Sequence, residues 1–452
     1  MTKQLISLFR ILLTTAVIIL AGFGVNNLFI QPNETLATAL VNKPEKKIKK
    51  IKLFDDSIMH RIDLDFNETD HWDKLVQQRQ EADSLEITNY LPVEMRIDNT
   101  QLGKIGIRFK GESSFEFAGD KKKSFKLAFD KFEKGKKYQK IKKLHLNNFF
   151  KDPTFMRDKL YLEMQNELGL PTQRSAYTEV YLNGEYWGLY LMIEQIDKRF
   201  IKRHFNENDG VLFKGEPKAL FTDLGPNKET YRRKYQLKSK DFNKGWEAMI
   251  GLIQNIHKKG LSDESYYISL DNQFEIDDCL RSWALNNALV NIDAYNMHYP
   301  HNFYLYQNTK DHKFNWINYD GNYSFGAWSP NLTYQEMVQL PTSYPLEPTK
   351  KRPLYRLLMS NSVCQSKYEE ILKEQVLPLL TPQRINSRID DLKKLIVSSV
   401  YADTLKQYSN EQFDKCLEKN HGDIKDPGAF SPGLKEFNTA RFNYLTNLLN
   451  QN

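Results

Sequence analysis

Two aspartates and one asparagine in the polar, aromatic stretch 291–326 have the side chains that metal-assisted phosphoryl transfer needs. They are Asp293, Asn302 and Asp320. Such a reaction requires oxygen ligands for magnesium and a carboxylate close to the acceptor hydroxyl. Aspartate and asparagine are also common as turn and cap residues, so these three residues alone leave a purely structural role open.

A turn and a strand further upstream have residue types that bind phosphates. The segment Lys110–Ser114 interrupts two alternating patterns with turn-forming residues. We expect its backbone N–H groups, with the hydroxyls of Ser113 and Ser114, to cover phosphates. Lys126 on the next strand would hold the α- and β-phosphates. The alternative for Lys126 is a solvent-facing strand residue.

The clearest local prediction is a β-hairpin over residues 178–193. Asn183 and Gly184 suit the two positive-φ positions of a type I′ turn, and the flanking segments are rich in Tyr, Val, Trp and Leu. The second strand leads to Glu194, expected at a hinge beside adenine, and to Asp197, expected near the ribose. Alternatively, these two acidic residues begin the following helix.

Apolar patterning in the first half predicts an antiparallel sheet with one main helix. Apolar and polar residues alternate, fully or partly, as in strands with one buried face; the segments are 51–66, 91–97, 104–109 and 124–129. A helix is predicted over 154–168, where apolar residues recur at helical spacing and Gly169 and Pro171 follow.

The second half is predicted to be mainly α-helical. Helical spacing indicates helices near 246–257, 274–290, 362–380, 381–400 and 434–449. The polar segment 215–241 is predicted to be an inserted loop. The order of turn, lysine strand, helix, hairpin and the Asp, Asn, Asp series matches that of protein kinases. We therefore expect an α+β fold, an atypical two-lobed kinase-like fold with an N-lobe at 53–214 and a helical C-lobe at 242–452.

Composition fits a globular protein and excludes several other classes. Of 452 residues, 40% are hydrophobic, 13% aromatic and 27% charged, which argues against a disordered or fibrous chain. The net charge is +7, and the lysines concentrate at 42–52 and 121–143, where they meet phosphates, an anionic membrane or only solvent. We expect no nucleic-acid partner. Three widely spaced cysteines without CxxC spacing exclude a disulfide framework and suggest no zinc site; buried free thiols are expected.

The N-terminus has the features of a targeting segment. Lys3 and Arg10 precede an apolar run over 11–25, and a small-x-small triplet at 37–39 offers a cleavage site. Residues 1–39 are predicted to be a signal peptide or a membrane anchor, followed by a basic linker at 40–52. We expect export to the cell envelope. An uncleaved anchor would instead place the catalytic part in the cytoplasm, because the lysines of the linker outnumber the basic residues before the run.

Several motifs together resemble the CotH kinase family, atypical kinases named for a spore-coat protein, over roughly 91–326. The matching segments are Arg108–Ser114, Lys122–Lys126, Met156–Leu160, Tyr181–Tyr190, Glu194–Asp197, Asp293 with Tyr295, His301–Tyr306 and Tyr319–Gly326. A GxGxxG loop and a His-Arg-Asp triplet are missing from the sequence, as the resemblance leads one to expect.

The resemblance implies transfer of the ATP γ-phosphoryl group to a Ser or Thr hydroxyl of a surface or envelope protein, or to a small-molecule or glycan hydroxyl. It implies Asp293 as the catalytic carboxylate and Asn302 and Asp320 as ligands of Mg²⁺ or Mn²⁺. Nucleotide contacts are then expected from Lys110, Ser113, Lys126, Glu194 and Asp197.

One position departs from the family pattern. The family commonly has a second aspartate two residues after the first, and this chain has Asn322 there. An amide binds Mg²⁺ more weakly than a carboxylate does. The alternative is therefore a kinase-like surface or assembly protein with weak or no catalysis.

Overall fold

The computed structural model describes residues 51–85, 89–239, 243–328, 332–343, 352–423 and 430–451, all within one unit spanning Ile51–Asn452. The predicted signal peptide or anchor, and the basic linker up to residue 50, lie outside the described residues. Among the residues described, no helix is long and apolar enough to cross a membrane. The architecture mixes helices and sheets, as the α+β prediction states.

The first half of the described chain forms a closed seven-stranded barrel. Its strands are β1 His60–Asp65, β2 Leu91–Ile97, β3 Thr100–Lys110, β4 Ser124–Ala128, β5 Lys143–Asn147, β6 Ser175–Leu182 and β7 Glu185–Glu194. They follow the order β1-β2-β3-β4-β5-β7-β6, and β1 pairs with β6 in parallel. The predicted antiparallel sheet is therefore wrong in this respect, because the parallel pair closes the sheet and removes both edges.

The barrel interior explains the alternating patterns in the sequence. Side chains at alternating positions along the strands point into the barrel and are completely buried, for example Ile62 and Leu64 in β1 and Ile105 and Ile107 in β3. Helix α1, His71–Leu85, covers this core: the Trp72 ring lies 5.1 Å from the ring of Phe109. The expectation of a single main helix missed α1, since most of its residues are polar.

Three further helices accompany the barrel: α2 Ser113–Glu116, α3 Arg157–Glu167 and α4 Lys198–Phe205. Helix α3 is the one predicted over 154–168. The predicted hairpin is confirmed as β6 and β7, and Asn183 and Gly184 have φ values of 49° and 83° at its turn. This local geometry agrees with the type I′ assignment.

A second sheet follows the barrel. Its strands are β8 Val211–Gly215, β9 Tyr235–Leu237, β10 Phe303–Gln307 and β11 Phe314–Asn318, in the order β11-β10-β8-β9 and all antiparallel. The segment predicted as an inserted loop thus supplies β9. Strands of three to five residues are too short to give a visible alternation, which is why the pattern failed to reveal them.

The remaining described chain is helical, in agreement with the prediction. The helices are α5 Asn243–Ile256, α6 Asp263–Asp271, α7 Ile276–Ala288, α8 Tyr334–Val338, α9 Pro353–Met359, α10 Ser362–Ile371, α11 Pro382–Ala402, α12 Asn410–Glu418 and α13 Leu434–Gln451. They pack around a hydrophobic cluster separate from that of the barrel. Cys279, Cys364 and Cys416 are buried free thiols, as expected.

Candidate nucleotide and metal site

A cavity of about 750 Å³ is walled by barrel strands, the second sheet and the loops that flank β10 and β11. A volume of this size suits a small-molecule or cofactor ligand. It is lined by seven of the eight site residues expected from sequence: Lys110, Ser113, Lys126, Asp197, Asp293, Asn302 and Asp320. The fold therefore brings together residues that are far apart in the sequence.

Glu194 is the exception and does not line the cavity. Its buried carboxylate accepts hydrogen bonds from Arg174, at 2.7 Å, and from Arg203, at 2.6 Å. Hydrogen bonds from Arg174, together with the charges of both arginines, hold the pKa of Glu194 below its usual range, although burial opposes them. Its backbone carbonyl accepts a further bond from Gln173. The carboxylate of Glu194 is therefore used within the protein, and the nucleotide contact expected of this residue stays a prediction.

Asp197 lines the cavity and also begins a helix. Its Oδ1 accepts hydrogen bonds from the backbone N–H groups of Arg199, at 2.8 Å, and Phe200, at 3.3 Å, which caps α4. The structural alternative stated for this residue is thus correct for one carboxylate oxygen. The position in the cavity wall leaves the expected ribose contact as a proposal.

Asp293 is held by two neighbours in the cavity. Asn302 Nδ2 donates to Asp293 Oδ2 at 2.8 Å, and His301 Nε2 lies 3.2 Å from Asp293 Oδ1. Asn302 stands just before β10 with a φ of 61°. These contacts fix the orientation of the carboxylate toward the cavity and direct the Asn302 amide nitrogen away from any cation, which leaves its Oδ1 as the possible ligand atom.

A second cluster of charged residues in the cavity consists of Lys110, Asp158 and Asp320. Asn147 connects Lys110 with Asp158, because it accepts a hydrogen bond from Lys110 Nζ and donates one to Asp158 Oδ2 at 3.0 Å. Burial raises the pKa of both aspartates, and the charge of Asp320 raises that of Asp158 further, whereas Lys110 opposes both shifts. The sequence analysis did not assign a role to Asp158, although it lies within one of the motifs that carry the resemblance.

The turn that holds Asp320 is seated against an aromatic ring. A Cβ atom on Gly321 would lie 1.9 Å from Cδ1 of Tyr161, so only glycine fits at this position. The Tyr161 hydroxyl donates to Asn286 Oδ1 at 2.6 Å, which fixes the ring. The close packing of Gly321 on Tyr161 therefore sets the position of the Asp320 carboxylate.

The donor set at this end of the cavity fits a hard divalent cation. The oxygen donors are Asp320, Asn302 and Asn322, and the Asn322 Oδ1 atom is buried without a hydrogen-bond partner. Carboxylate and amide oxygens are the ligands that Mg²⁺ prefers. No group of three or more His, Cys, Asp or Glu side chains gathers as a metal site among the described residues. An ion here would therefore rely on amide oxygens and bound phosphates as well as carboxylates.

The chain belongs to the CotH kinase protein family, whose model matches residues 107–440. Among curated relatives, inner spore coat protein H of Bacillus subtilis (strain 168) is 24% identical over 333 residues, covering 72% of this chain and 85% of that protein. Invasin CotH2 of Rhizopus delemar is 21% identical over 253 residues, covering 54% of this chain and 42% of the invasin.

Among solved structures, the crystal structure of the Helicobacter pylori proinflammatory kinase CtkA shares 9% identity and a TM-score of 0.27 with this chain. The match covers 62% of this chain and 93% of CtkA. At this TM-score the likeness is too weak to support a functional inference.

Proposed function

We propose that this chain is an atypical two-lobed kinase that transfers the γ-phosphoryl group of ATP to a Ser or Thr hydroxyl of a protein, with Mg²⁺ or Mn²⁺ as cofactor. The single observation that carries the proposal is that Lys110, Asp293, Asn302 and Asp320 line one cavity. The barrel would form the N-lobe and the helical part the C-lobe. Family membership supports the reaction class.

In this proposal, the cavity residues have three roles: proton acceptor, metal ligand and phosphate-binding residue. Asp293 accepts the proton of the acceptor hydroxyl, since Asn302 and His301 hold its carboxylate in place. Asp320 and the Asn302 Oδ1 atom would hold the cation, whose charge, when bound, stabilises the phosphate oxygens. Lys110, beside Asp320, would bind the phosphates next to the cation.

The proposed acceptor and the proposed location of the protein rest on the names of two relatives and on the N-terminal apolar run. One relative is a spore coat protein and another is an invasin. These names support a protein substrate at a cell surface or envelope, and the N-terminal apolar run supports export or a membrane anchor.

A kinase-like surface or assembly protein without turnover is the second candidate. It is favoured by Asn322, which stands where the family commonly has a second aspartate. The two candidates differ in whether bound nucleotide is consumed.

The proposed function is tested with the full chain, ATP labelled at the γ- or α-phosphate, and Ser- and Thr-containing acceptor proteins. We expect transfer of the γ-label only, dependence on Mg²⁺ or Mn²⁺, and loss of transfer in EDTA and in Asp320→Asn. Nucleotide binding without transfer across metals and acceptors would favour the non-catalytic candidate. No binding and no transfer would refute the nucleotide site itself.

A further inference from the structure

The connection between β4 and β5 carries a dense group of lysines. Residues 131–142, which we name the basic loop, contain six lysines and one acidic residue, Glu133. The structure describes the whole of this loop, and none of its residues lines the cavity. The proposed phosphoryl transfer therefore gives its charges no role.

Two buried residues hold the basic loop in a fixed shape. Tyr138 and Ile141 are 6% and 3% exposed and belong to the hydrophobic cluster of the barrel. Their backbones exchange two hydrogen bonds, at 2.9 and 2.8 Å. Gln139 and Lys140 between them have φ values of 47° and 71°, as in a type I′ turn. The loop is thus a structured part of the barrel, and it leaves the Lys140 side chain exposed.

The basic loop keeps an excess of positive charge after its internal ion pairs are counted. Lys136 pairs with Glu133 at 3.1 Å, and Lys142 pairs with Asp130 at 2.9 Å. Three exposed lysines form no ion pair with a carboxylate of the described residues: Lys134, Lys137 and Lys140. Like charges this close in sequence repel one another, and a negatively charged surface would replace that repulsion by attraction.

An aromatic side chain stands among these lysines. Phe132 is 45% exposed, although most large apolar side chains of the barrel are buried. Lysines beside an exposed aromatic ring are typical of surfaces that lie on membranes, because the lysines attract anionic head groups and the ring enters the interface. A soluble acidic polymer would use the lysines but would offer the ring no apolar surroundings.

The chain that leads to the N-terminal apolar run leaves the described unit at the basic loop. Gln139 Nε2 donates to the carbonyl of Ile51 at 2.7 Å, and the N–H of Leu53 donates to Gln139 Oε1 at 3.0 Å. Ile51 is the first described residue. Residues 26–50, between it and the apolar run at 11–25, can span at most about 90 Å. A membrane that held the run would therefore be at high effective concentration for the loop.

We propose that the basic loop is a docking surface for an anionic membrane. Its exposed lysines contact lipid phosphates, and the Phe132 ring enters the boundary between head groups and acyl chains. The loop then fixes the barrel against the membrane from which the predicted anchor segment emerges. The proposal does not depend on the kinase reaction.

The test measures the reactivity of lysine amines in the full chain with vesicles. The vesicles contain phosphatidylcholine alone, or equal parts of phosphatidylcholine and phosphatidylglycerol. A neutral acylating reagent followed by mass spectrometry reports on each lysine separately. We expect phosphatidylglycerol to protect Lys131 and Lys142, and high salt to reverse the protection. Lys394 in α11, which is 77% exposed, is the internal reference and should react equally with both kinds of vesicle.

A triple variant tests the contribution of the lysines. The test variant is Lys134→Gln/Lys137→Gln/Lys140→Gln, which retains the buried residues and both ion pairs of the loop. Its matched control removes the same charge at exposed positions elsewhere: Lys258→Gln/Lys259→Gln/Lys373→Gln. With phosphatidylglycerol present, the ratio of docked to undocked loop, read from acylation of Lys131, should fall about fivefold for each lysine lost in the test variant. The control should behave as the wild type does.

A second variant separates a membrane from other polyanions. Phe132→Ser removes the ring and leaves every charge, so we expect the docked ratio to fall by about fivefold. An unchanged ratio in Phe132→Ser would overturn the assignment to a membrane. Protection by soluble polyglutamate but not by the anionic vesicles would also overturn it, and would assign the basic loop to an acidic polymer.

Two further results would contradict the docking surface. One is equal acylation of Lys131 with both kinds of vesicle, and the other is an equal loss of protection in the test variant and its control. These outcomes are independent of the proposed function. A chain that docks but transfers no label contradicts only the kinase reaction, and a chain that transfers label without protection of the loop contradicts only the docking surface.

Discussion

Lys122 and Asp403 form a buried ion pair between residues 281 positions apart in the sequence. Lys122 Nζ donates to Asp403 Oδ2 at 2.6 Å, and the two side chains are 2% and 0% exposed. Asp403 also accepts from the backbone N–H of Leu189 in β7, at 3.0 Å. Asp403 directly follows α11. The ion pair therefore links the C-terminal helices to the barrel, which forms one wall of the cavity.

Breaking this ion pair is expected to destabilise the whole protein. Lys122→Met leaves the Asp403 carboxylate buried without its cation, and such a loss costs about 3–5 kcal/mol. The measurement is the free energy of unfolding in urea. The control is Asp391→Asn, which removes an exposed pair with Lys394 and should change stability by less than about 1 kcal/mol. Equal effects of the two substitutions would mean that the buried pair does not join the two parts as described.

Lys126→Met is expected to stabilise the folded protein below neutral pH. The folded-state pKa of Lys126 is about 7, against an ordinary value of 10.5. Between these values the unfolded chain binds the proton and the folded chain does not, so the wild type gains stability as pH rises from about 7 to about 10.5. The advantage of the Met variant, about 1–4 kcal/mol, should therefore be greatest near pH 6 and smaller near pH 9. A gain that is constant with pH would contradict the lowered pKa of Lys126, which burial and then the charges of Arg108 and Lys143 cause.

Asn322→Asp tests whether the side-chain oxygen of residue 322, which has no hydrogen-bond partner in the candidate metal site, binds the metal. A carboxylate here would add charge beside Asp320, so we expect a lower unfolding temperature in EDTA and a larger rise on addition of Mg²⁺ or Mn²⁺ than in the wild type. The measurement is a metal-dependent thermal shift. Asp391→Asn, at an exposed residue that does not line the cavity, serves as the charge-changing control. An unchanged metal response would exclude residue 322 from the metal site.

Gly321→Ala tests the close packing of the Asp320 turn against the ring of Tyr161. The added methyl group would overlap the Tyr161 ring, and we expect a loss of about 1–3 kcal/mol in the free energy of unfolding together with weaker metal binding. Gly251→Ala is the matched control, since it lies in α5 with open space around its Cα and should be neutral or stabilising by up to about 1 kcal/mol. Similar effects at the two positions would contradict the close packing of Gly321.

Local features of this protein could be predicted from the sequence. The β6–β7 hairpin follows from Asn183 and Gly184, whose positive φ values need no distant contact. Helix α3 and, in the second half, helices α5, α7, α10, α11 and α13 follow from apolar spacing. Seven of the eight residues predicted for the site from their types and motif order lie around one cavity, and their roles stay predictions.

Non-local features could not be predicted. The parallel pairing of β1 with β6, which closes the barrel, depends on register between distant segments and has no local signature. The pairing of Arg108 with Lys126 was hidden for the same reason, because the two residues become neighbours only through strand pairing. The ion pairs of Glu194 could not be predicted either, because its arginine partners, Arg174 and Arg203, converge only in the folded chain.

The most direct test of the central claim is the single-turnover rate of γ-phosphoryl transfer from Mg·ATP by Asp293→Asn, measured beside its ATP affinity. If Asp293 is the catalytic carboxylate, transfer should fall by about 10²–10⁴-fold while ATP affinity stays close to that of the wild type and of the Asp391→Asn control. A variant that transfers phosphoryl groups at the wild-type rate would contradict the account.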